Sequence, residues 1–181
     1  MRRTFLAVVL FFAWSAQATM VKPMSVEELT SEASVVLEGQ AIETWSSWNA
    51  AHSRIYTFTR VRISKTLKGS PSDTVVIKQL GGSADGYTQH VSGVRAMQTG
   101  EDALLFLRPS EARDGTMVVV GLMQGHFRFA RDTQNGTTMV NNGVIGSDEM
   151  QSNSRTVRPY RGSALTLEQM EARVKKAVTR E

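Results

Sequence analysis

Residues 55 to 67 carry the longest regular pattern in the sequence, a period-two alternation of side-chain types. Successive side chains of a β-strand point to opposite faces of the sheet, so such an alternation is typical of a strand. Large residues occupy both sets near the start of the segment, which predicts that this end is covered on both sides. The two sets are Ile55, Thr57, Thr59, Val61 and Ile63, and Tyr56, Phe58, Arg60 and Arg62.

Six shorter segments also predict strands. In the first of them Gly39 lies in the interior, which predicts a bulge or a bend where a sheet curls. Residues 103–107 are apolar throughout, as in a strand that is buried on both faces. Several curved strands around one long strand favour a mainly β fold, a small antiparallel OB-like β-barrel. The six segments are 34–42, 74–80, 103–107, 116–120, 126–130 and 137–140.

Two capping boxes predict helices at the two ends of the fold. Ser25 and Glu28 open a short helix that ends near Glu32, and Thr166 and Gln169 open an amphipathic C-terminal helix. The polar stretch between barrel and second helix is interpreted as a linker. The predicted units are the barrel at 19–140, the linker at 141–164 and the helix at 165–181.

Residues 1–18 contain the three parts of a secretory signal peptide in the expected order. The apolar run is too short to span a bilayer, so we predict cleavage after Ala18, a secreted or periplasmic protein and no transmembrane anchor. A buried N-terminal helix and an uncleaved anchor are the alternatives. The three parts are the pair Arg2 and Arg3, the apolar run Leu6–Trp14 and the cleavage site Ala16-Gln17-Ala18.

The charge and the cysteine count exclude several classes of protein. Without the two leader arginines the formal net charge of +4 would fall to +2. The remaining basic excess lies in residues 155–181, where Tyr160 is the only aromatic residue, so we expect no nucleic-acid partner. The chain has no cysteine. The predicted exported domain must therefore be held together by its core alone, without disulfides.

Aromatic residues beside irregular segments are the best candidates for a binding surface. Trp45 and Trp48 lie in a polar segment, 44–52, that we interpret as a loop, and Tyr56 follows it. Tyr87 and His90 lie in the irregular stretch 81–100, which contains five glycines. Exposed tryptophans can anchor a protein or peptide partner. The alternative is that they fold back and close one end of the barrel.

An enzyme is the competing hypothesis. A secreted hydrolase would use His90 with Asp85 or Ser92, although no spacing in this stretch predicts a catalytic triad. Glu101 and Asp102 would point to opposite faces of a strand and are poor candidates for a shared site. We predict no cofactor and no metal site, because the histidines lack a closely spaced ligand partner. They are His52, His90 and His126, and we interpret each as an ordinary structural or surface histidine, with His126 inside a strand.

The C-terminal helix suggests a third hypothesis, an envelope-associated protein with weak membrane-surface contact. Basic side chains on its outer face could lie on an anionic membrane. Packing of the helix against the sheet is the simpler interpretation. The basic residues are Arg173, Lys175, Lys176 and Arg180.

Three segments in order resemble netrin-like domains, the OB-type barrels shared with tissue inhibitors of metalloproteinases. Residues 33–41 are similar to the opening strand "ad-x-vv-x-G-x-v", residues 66–69 to the segment "v-x-x-v-f-K-G", and residues 100–107 to the strand "G-x-x-Y-L-L-F". The resemblance implies an OB-type barrel, and uncharacterised exported bacterial proteins share the pattern. The inhibitors bind the protease metal through an N-terminal cysteine, and this sequence has none. Inhibition by that mechanism is not implied, and the sequence favours a non-enzymatic binding module.

Overall fold

The computed structural model describes residues 23–132, 136–142 and 165–180. The predicted signal peptide and residues 143–164 of the predicted linker lie outside the described residues. The helices are α1 (Val26–Glu32) and α2 (Leu167–Val178). The strands are β1 (Val35–Trp48), β2 (Ile55–Lys68), β3 (Thr74–Leu80), β4 (Gly82–Ala84), β5 (Tyr87–Gln89), β6 (Asp102–Pro109), β7 (Met117–Val119), β8 (His126–Arg131), β9 (Thr138–Asn141) and β10 (Leu165–Thr166).

Five strands close into a barrel in the order β1-β2-β3-β7-β6, with β6 returning to pair with β1. All of these pairings are antiparallel except β3 with β7, which is parallel and consists of the single pair Ile77 and Met117. A closed five-stranded barrel with short terminal helices confirms the predicted OB-like, mainly β fold. On its other edge, β6 continues the sheet through β8, β9 and β10.

The alternation predicted for β2 is confirmed. Ile55, Thr57, Thr59 and Val61 are buried, and the residues between them are half-buried or exposed. The predicted bulge is present in β1, where the pairing with β2 shifts between Glu38 and Gly39. A Cβ atom on Gly39 would lie 2.6 Å from the backbone oxygen of Arg62, so the two strands approach too closely there for a side chain.

The strand β6 separates two apolar cores, as its continuous apolar sequence predicts. Its odd-numbered residues Ala103, Leu105 and Leu107 fill the barrel interior, and Leu104 and Phe106 face the helices. All five are completely buried. The core outside the barrel also holds Val26 and Leu29 of α1, Met170 and Val174 of α2, and Phe127 and Val140.

Both predicted helices begin at capping boxes. Ser25 accepts a hydrogen bond from the Glu28 N–H and Thr166 accepts one from the Gln169 N–H, and each N3 side chain accepts one from its N-cap N–H. Leu165 precedes the second helix and also pairs with Val140 as part of β10. This short pairing connects α2 to the sheet extension.

Two predicted loops are wrong in their boundaries. Residues 44–48 continue β1, where Trp45 pairs with Phe58, so the connection to β2 begins only after Trp48. The stretch 81–100 contains the hairpin β4–β5, which turns at Asp85 and Gly86 with positive φ angles of 50° and 79°. Both segments are polar in composition. In the first, cross-strand aromatic packing stabilises the strand in spite of it, and in the second the Asp-Gly turn favours a hairpin.

Candidate functional site

The outer face of β1, β2 and β3 carries a continuous group of aromatic and basic side chains, which we name the aromatic strip. It comprises Trp45, Tyr56, Phe58, Arg60 and Lys78. The register places Trp45 beside Phe58, and Phe58 beside Lys78. The barrel interior takes the alternate residues, so the fold itself turns this set outward.

The side chains of the aromatic strip stack on one another. The Trp45 and Phe58 rings lie 5.5 Å apart at 14°, with the Arg60 guanidinium carbon 5.5 Å above the Trp45 ring. Lys78 Nζ lies 4.7 Å from the centre of the Tyr56 ring and 5.9 Å from that of Phe58. These distances are in the range of cation–π contacts. The result is a layered, half-buried surface with fixed rings.

Carboxylates at the margin hold the two cations in place. Arg60 donates a 2.6 Å hydrogen bond to Glu43, and Lys78 donates one of 2.8 Å to Asp114. The bond from Lys78, followed by that from Thr116, holds the pKa of Asp114 well below its ordinary value. These bonds therefore hold both cations above the rings.

A second aromatic group lies beyond the end of the strip. Trp48 stacks on His52 at 5.3 Å and 21°, and meets the edge of Tyr87 at 5.7 Å and 70°. Tyr87 is 66% exposed, whereas Trp48 is half-buried. Trp48 thus covers part of the barrel end beneath the β4–β5 hairpin, and Tyr87 offers its ring to solvent.

Tight packing and three hydrogen bonds hold that hairpin against the barrel. Thr57 Oγ1 donates to the Gly81 carbonyl at 2.7 Å, the Gly81 N–H donates to the Ile55 carbonyl at 2.8 Å, and the Ile55 N–H donates to Gln89 Oε1 at 2.8 Å. A Cβ atom on Gly82 would lie 2.3 Å from Thr57 Oγ1, so only glycine fits there. The position of Tyr87 is therefore set by the barrel.

A groove of about 700 Å³ adjoins the aromatic strip, on the side where β3 and β7 separate. Such a volume lies within the range of small-ligand and peptide sites. Tyr56 and Lys78 belong to both the strip and the groove, so the two form one surface. The apolar lining includes Leu80, Val91, Val94, Val118 and Leu122, and the polar rim includes Arg108 and Glu111.

Four of the five predicted binding residues belong to the two aromatic groups. Trp45 and Tyr56 are part of the aromatic strip on the outer face. Trp48 contacts Tyr87 and pairs with the buried Ile55, so its side chain points to the opposite face of β1 from Trp45. His90 is exposed after β5, and among the described residues no ring contact joins it to them. Sequence reasoning missed Phe58, Arg60 and Lys78, although the outward positions of β2 indicate the first two and the register of β3 places the third beside Phe58.

The residues of the hydrolase hypothesis do not form a connected group. Asp85, His90 and Ser92 are all exposed. Within the described parts of the chain, no hydrogen bond or ion pair joins His90 to either partner. Metal-binding geometry is also not found there, since no three His, Asp or Glu side chains come together to hold an ion.

A buried polar cluster lies elsewhere, around Glu101. Its carboxylate forms two hydrogen bonds with Arg95, of 3.0 and 3.2 Å, and accepts a third from the Gln98 N–H. Burial would raise the pKa of Glu101, but the Gln98 and Arg95 bonds outweigh it and hold that pKa below its ordinary value. His126 Nε2 lies 3.2 Å from the same carboxylate outside hydrogen-bond geometry, and burial lowers the pKa of His126. His126 is 3% exposed and is the first residue of β8.

A second cluster joins α2 to the barrel. Glu38 of β1 is 7% exposed, with its Oε1 atom 3.7 Å from Lys65 Nζ. Lys65 also forms a close ion pair with Glu171 of α2. Burial and the neighbouring Glu171 carboxylate raise the pKa of Glu38 to about 6, and the bond from Lys65 lowers that of Glu171. Two carboxyl groups therefore share one cation beneath the helix.

The basic face of α2 is partly engaged by the protein itself. Arg173 donates hydrogen bonds of 3.0 and 2.6 Å to Glu27 of α1, and Lys175 lies 4.0 Å from Glu171. Met170 and Val174 bury the opposite face. In the described residues, neither helix has the length and apolar character needed to cross a bilayer.

The sequence matches no family model, and a search of the curated proteins finds no match.

Proposed function

We propose that this protein is an exported, non-enzymatic β-barrel module that binds a protein or peptide partner. The proposed contact surface comprises the aromatic strip and the second aromatic pair, Trp48 and Tyr87. Export rests on the signal-peptide pattern of residues 1–18. The netrin-like relationship remains part of this proposal and rests on the three sequence segments described above.

One observation carries the proposal. Large rings and cations occupy one outward face, although the barrel interior is already filled by other residues. Surfaces that bind proteins are enriched in tryptophan, tyrosine and arginine, because these side chains bury large areas at a low cost in conformational entropy. The strip has this composition, and its rings are held in place before any partner arrives.

Alanine substitution tests the proposal. The full-length protein is panned against a display library of random peptides, and the affinities of selected peptides are measured by calorimetry. We expect Trp45→Ala and Tyr87→Ala each to weaken binding by about tenfold or more, as removal of an anchoring ring does. The matched control is Lys176→Ala, an exposed change on α2.

Unfolding measurements separate binding from folding. Tyr87 is 66% exposed, so its replacement is expected to leave the urea midpoint unchanged within about 0.5 kcal/mol. If Trp45→Ala destabilises the protein as strongly as a core substitution, the ring has a structural role. If the selected peptides bind both ring variants as tightly as the unsubstituted protein, the strip is not the binding surface.

A further inference from the structure

The strands β3 and β7 separate after a single pair, and this separation creates the groove. Ile77 pairs with Met117, but the next pair in the parallel register, Lys78 with Val118, does not form. Each strand is fully paired on its other side, with β2 and with β6. The barrel therefore contains two strand edges that face each other across open space.

Hydrogen-bond alternation shows which backbone groups face that space. Gly81 N–H donates to Ile55 and Ile63 N–H to Asp73, so the odd-numbered residues of β3 bond to β2. The N–H and C=O of Leu80 then point away from β2 and toward the groove. By the same alternation, the bond from Val120 N–H to Phe106 turns the backbone of Val119 toward the groove.

The walls of the groove suit side chains that alternate in character. Val118 and Val94 are half-buried. Leu122 is 51% exposed and, with Tyr87, is one of two large hydrophobic residues that are exposed in the described part of the chain. An extended chain directs alternate side chains to opposite sides. One set would contact this apolar wall, and the other would face the polar rim, where Lys78 and Arg108 lie.

The rim favours an acidic side chain. Arg108 is held only loosely, because its partner Glu111 lies 3.6 Å away and is 88% exposed. Exposed ion pairs of this kind contribute little. Beside it, Lys78 already binds one carboxylate, that of Asp114. A partner carboxylate would find two cations within the groove lining.

We propose that the groove binds an extended peptide as an added strand on the free edge of β3, with acidic and apolar side chains alternating along the peptide. This inference rests on the proposed function and specifies the partner. Main-chain hydrogen bonds would supply affinity, and the two walls would supply specificity. A single-stranded nucleic acid would use the rings and cations but could not use the strand edge.

Backbone methylation of a synthetic peptide tests strand addition. The probe is a short peptide that alternates valine with glutamate, titrated into the full-length protein by calorimetry. Two versions carry N-methyl groups on alternate amides, one set shifted by one residue from the other. Only one set can face β3, so we expect one version to lose about fivefold to tenfold in affinity and the other to lose little.

Three controls make the outcome decisive. Replacing glutamate by lysine in the peptide is expected to abolish binding, and Leu122→Arg, at an exposed wall position, is expected to weaken it without changing stability. Equal effects of the two methylated versions would overturn strand addition, as would tighter binding of an oligo(dT) strand. If display-selected peptides depend on Trp45 and Tyr87 while the valine–glutamate peptide does not bind, the inference fails and the proposed function stands. If no peptide of any kind binds, both fail.

Discussion

The carboxyl pair beneath α2 makes a sharp prediction about the variant Glu38→Gln. A raised pKa means that the folded protein holds the Glu38 proton more tightly than the unfolded chain does. The group therefore reduces the free energy of unfolding as pH rises from its ordinary pKa of 4.5 through about 6. Glutamine resembles the protonated acid in shape and can donate to Glu171. Above pH 6 the variant should thus be more stable than the unsubstituted protein.

The expected magnitude follows from the two pKa values. A rise from 4.5 to about 6 corresponds to about 2 kcal/mol, at 1.36 kcal/mol for each tenfold change in proton affinity. Lys65 is 43% exposed and water screens the cluster through it, so we expect about half of this, about 1 kcal/mol. Urea unfolding of both proteins at pH 4.5 and at pH 7.5 measures the difference, which should appear only at the higher pH.

The control for this prediction is Glu43→Gln, further along the same strand and away from α2. Glu43 is 51% exposed and pairs with Arg60, so its replacement should change stability by less than about 1 kcal/mol. A Glu38→Gln protein that is less stable than the unsubstituted protein at pH 7.5 would refute the reasoning. It would mean that attraction to Lys65 outweighs burial and repulsion by Glu171.

Three further predictions concern the close approach of β1 and β2, the barrel core and the buried histidine. Gly39→Ala should destabilise the protein by about 1–3 kcal/mol in urea unfolding, because the added Cβ would lie 2.6 Å from a backbone oxygen. The control is Gly86→Ala, where no atom lies within 4 Å of the added Cβ, so only the left-handed backbone should lower the free energy of unfolding, by about 1 kcal/mol. Leu105→Ala in the barrel interior should cost about 2–5 kcal/mol, whereas Leu122→Ala should be nearly neutral, and equal effects would contradict the assigned core. Burial lowers the pKa of His126, so the unfolding free energy should fall as pH drops below 6.5, and His126→Gln should flatten that slope; an unchanged slope would show that another group causes it.

Local sequence patterns predicted most of the barrel because its strands obey local rules. Which faces of a strand are buried determines the order of its polar and apolar residues, so the sequence shows it directly. This holds for the alternation of β2, the β-branched run of β3 and the apolar run of β6. Both helices begin at the predicted capping boxes, Ser25 with Glu28 and Thr166 with Gln169. The end of β1 could not be predicted in the same way. Residues 44–48 are polar apart from the tryptophans, and they are a strand because Phe58 and its neighbours on β2 pair with them.

The candidate surface required information that no local pattern contains. Lys78 reaches the Tyr56 ring only because the register of β3 against β2 places it there. The alternation of a strand predicts only that Glu101 and Asp102 point to opposite faces. It contains no information about the partners that Glu101 has in other segments, Arg95 before β6 and His126 in β8. Burial of such polar groups depends on tertiary packing.

The departure of β3 from β7 connects the stability of this fold to its proposed use. A cysteine-free barrel depends on continuous strand pairing and a filled core, and both are present almost everywhere in the described barrel. The exception is the space beyond Ile77 and Met117, where continued pairing would add hydrogen bonds. The aromatic strip begins at the same edge, since Tyr56 and Lys78 line the groove. The barrel thus has an incompletely paired strand beside rings that are already held in position. These are the two features that it would need in order to accept one more strand from a partner.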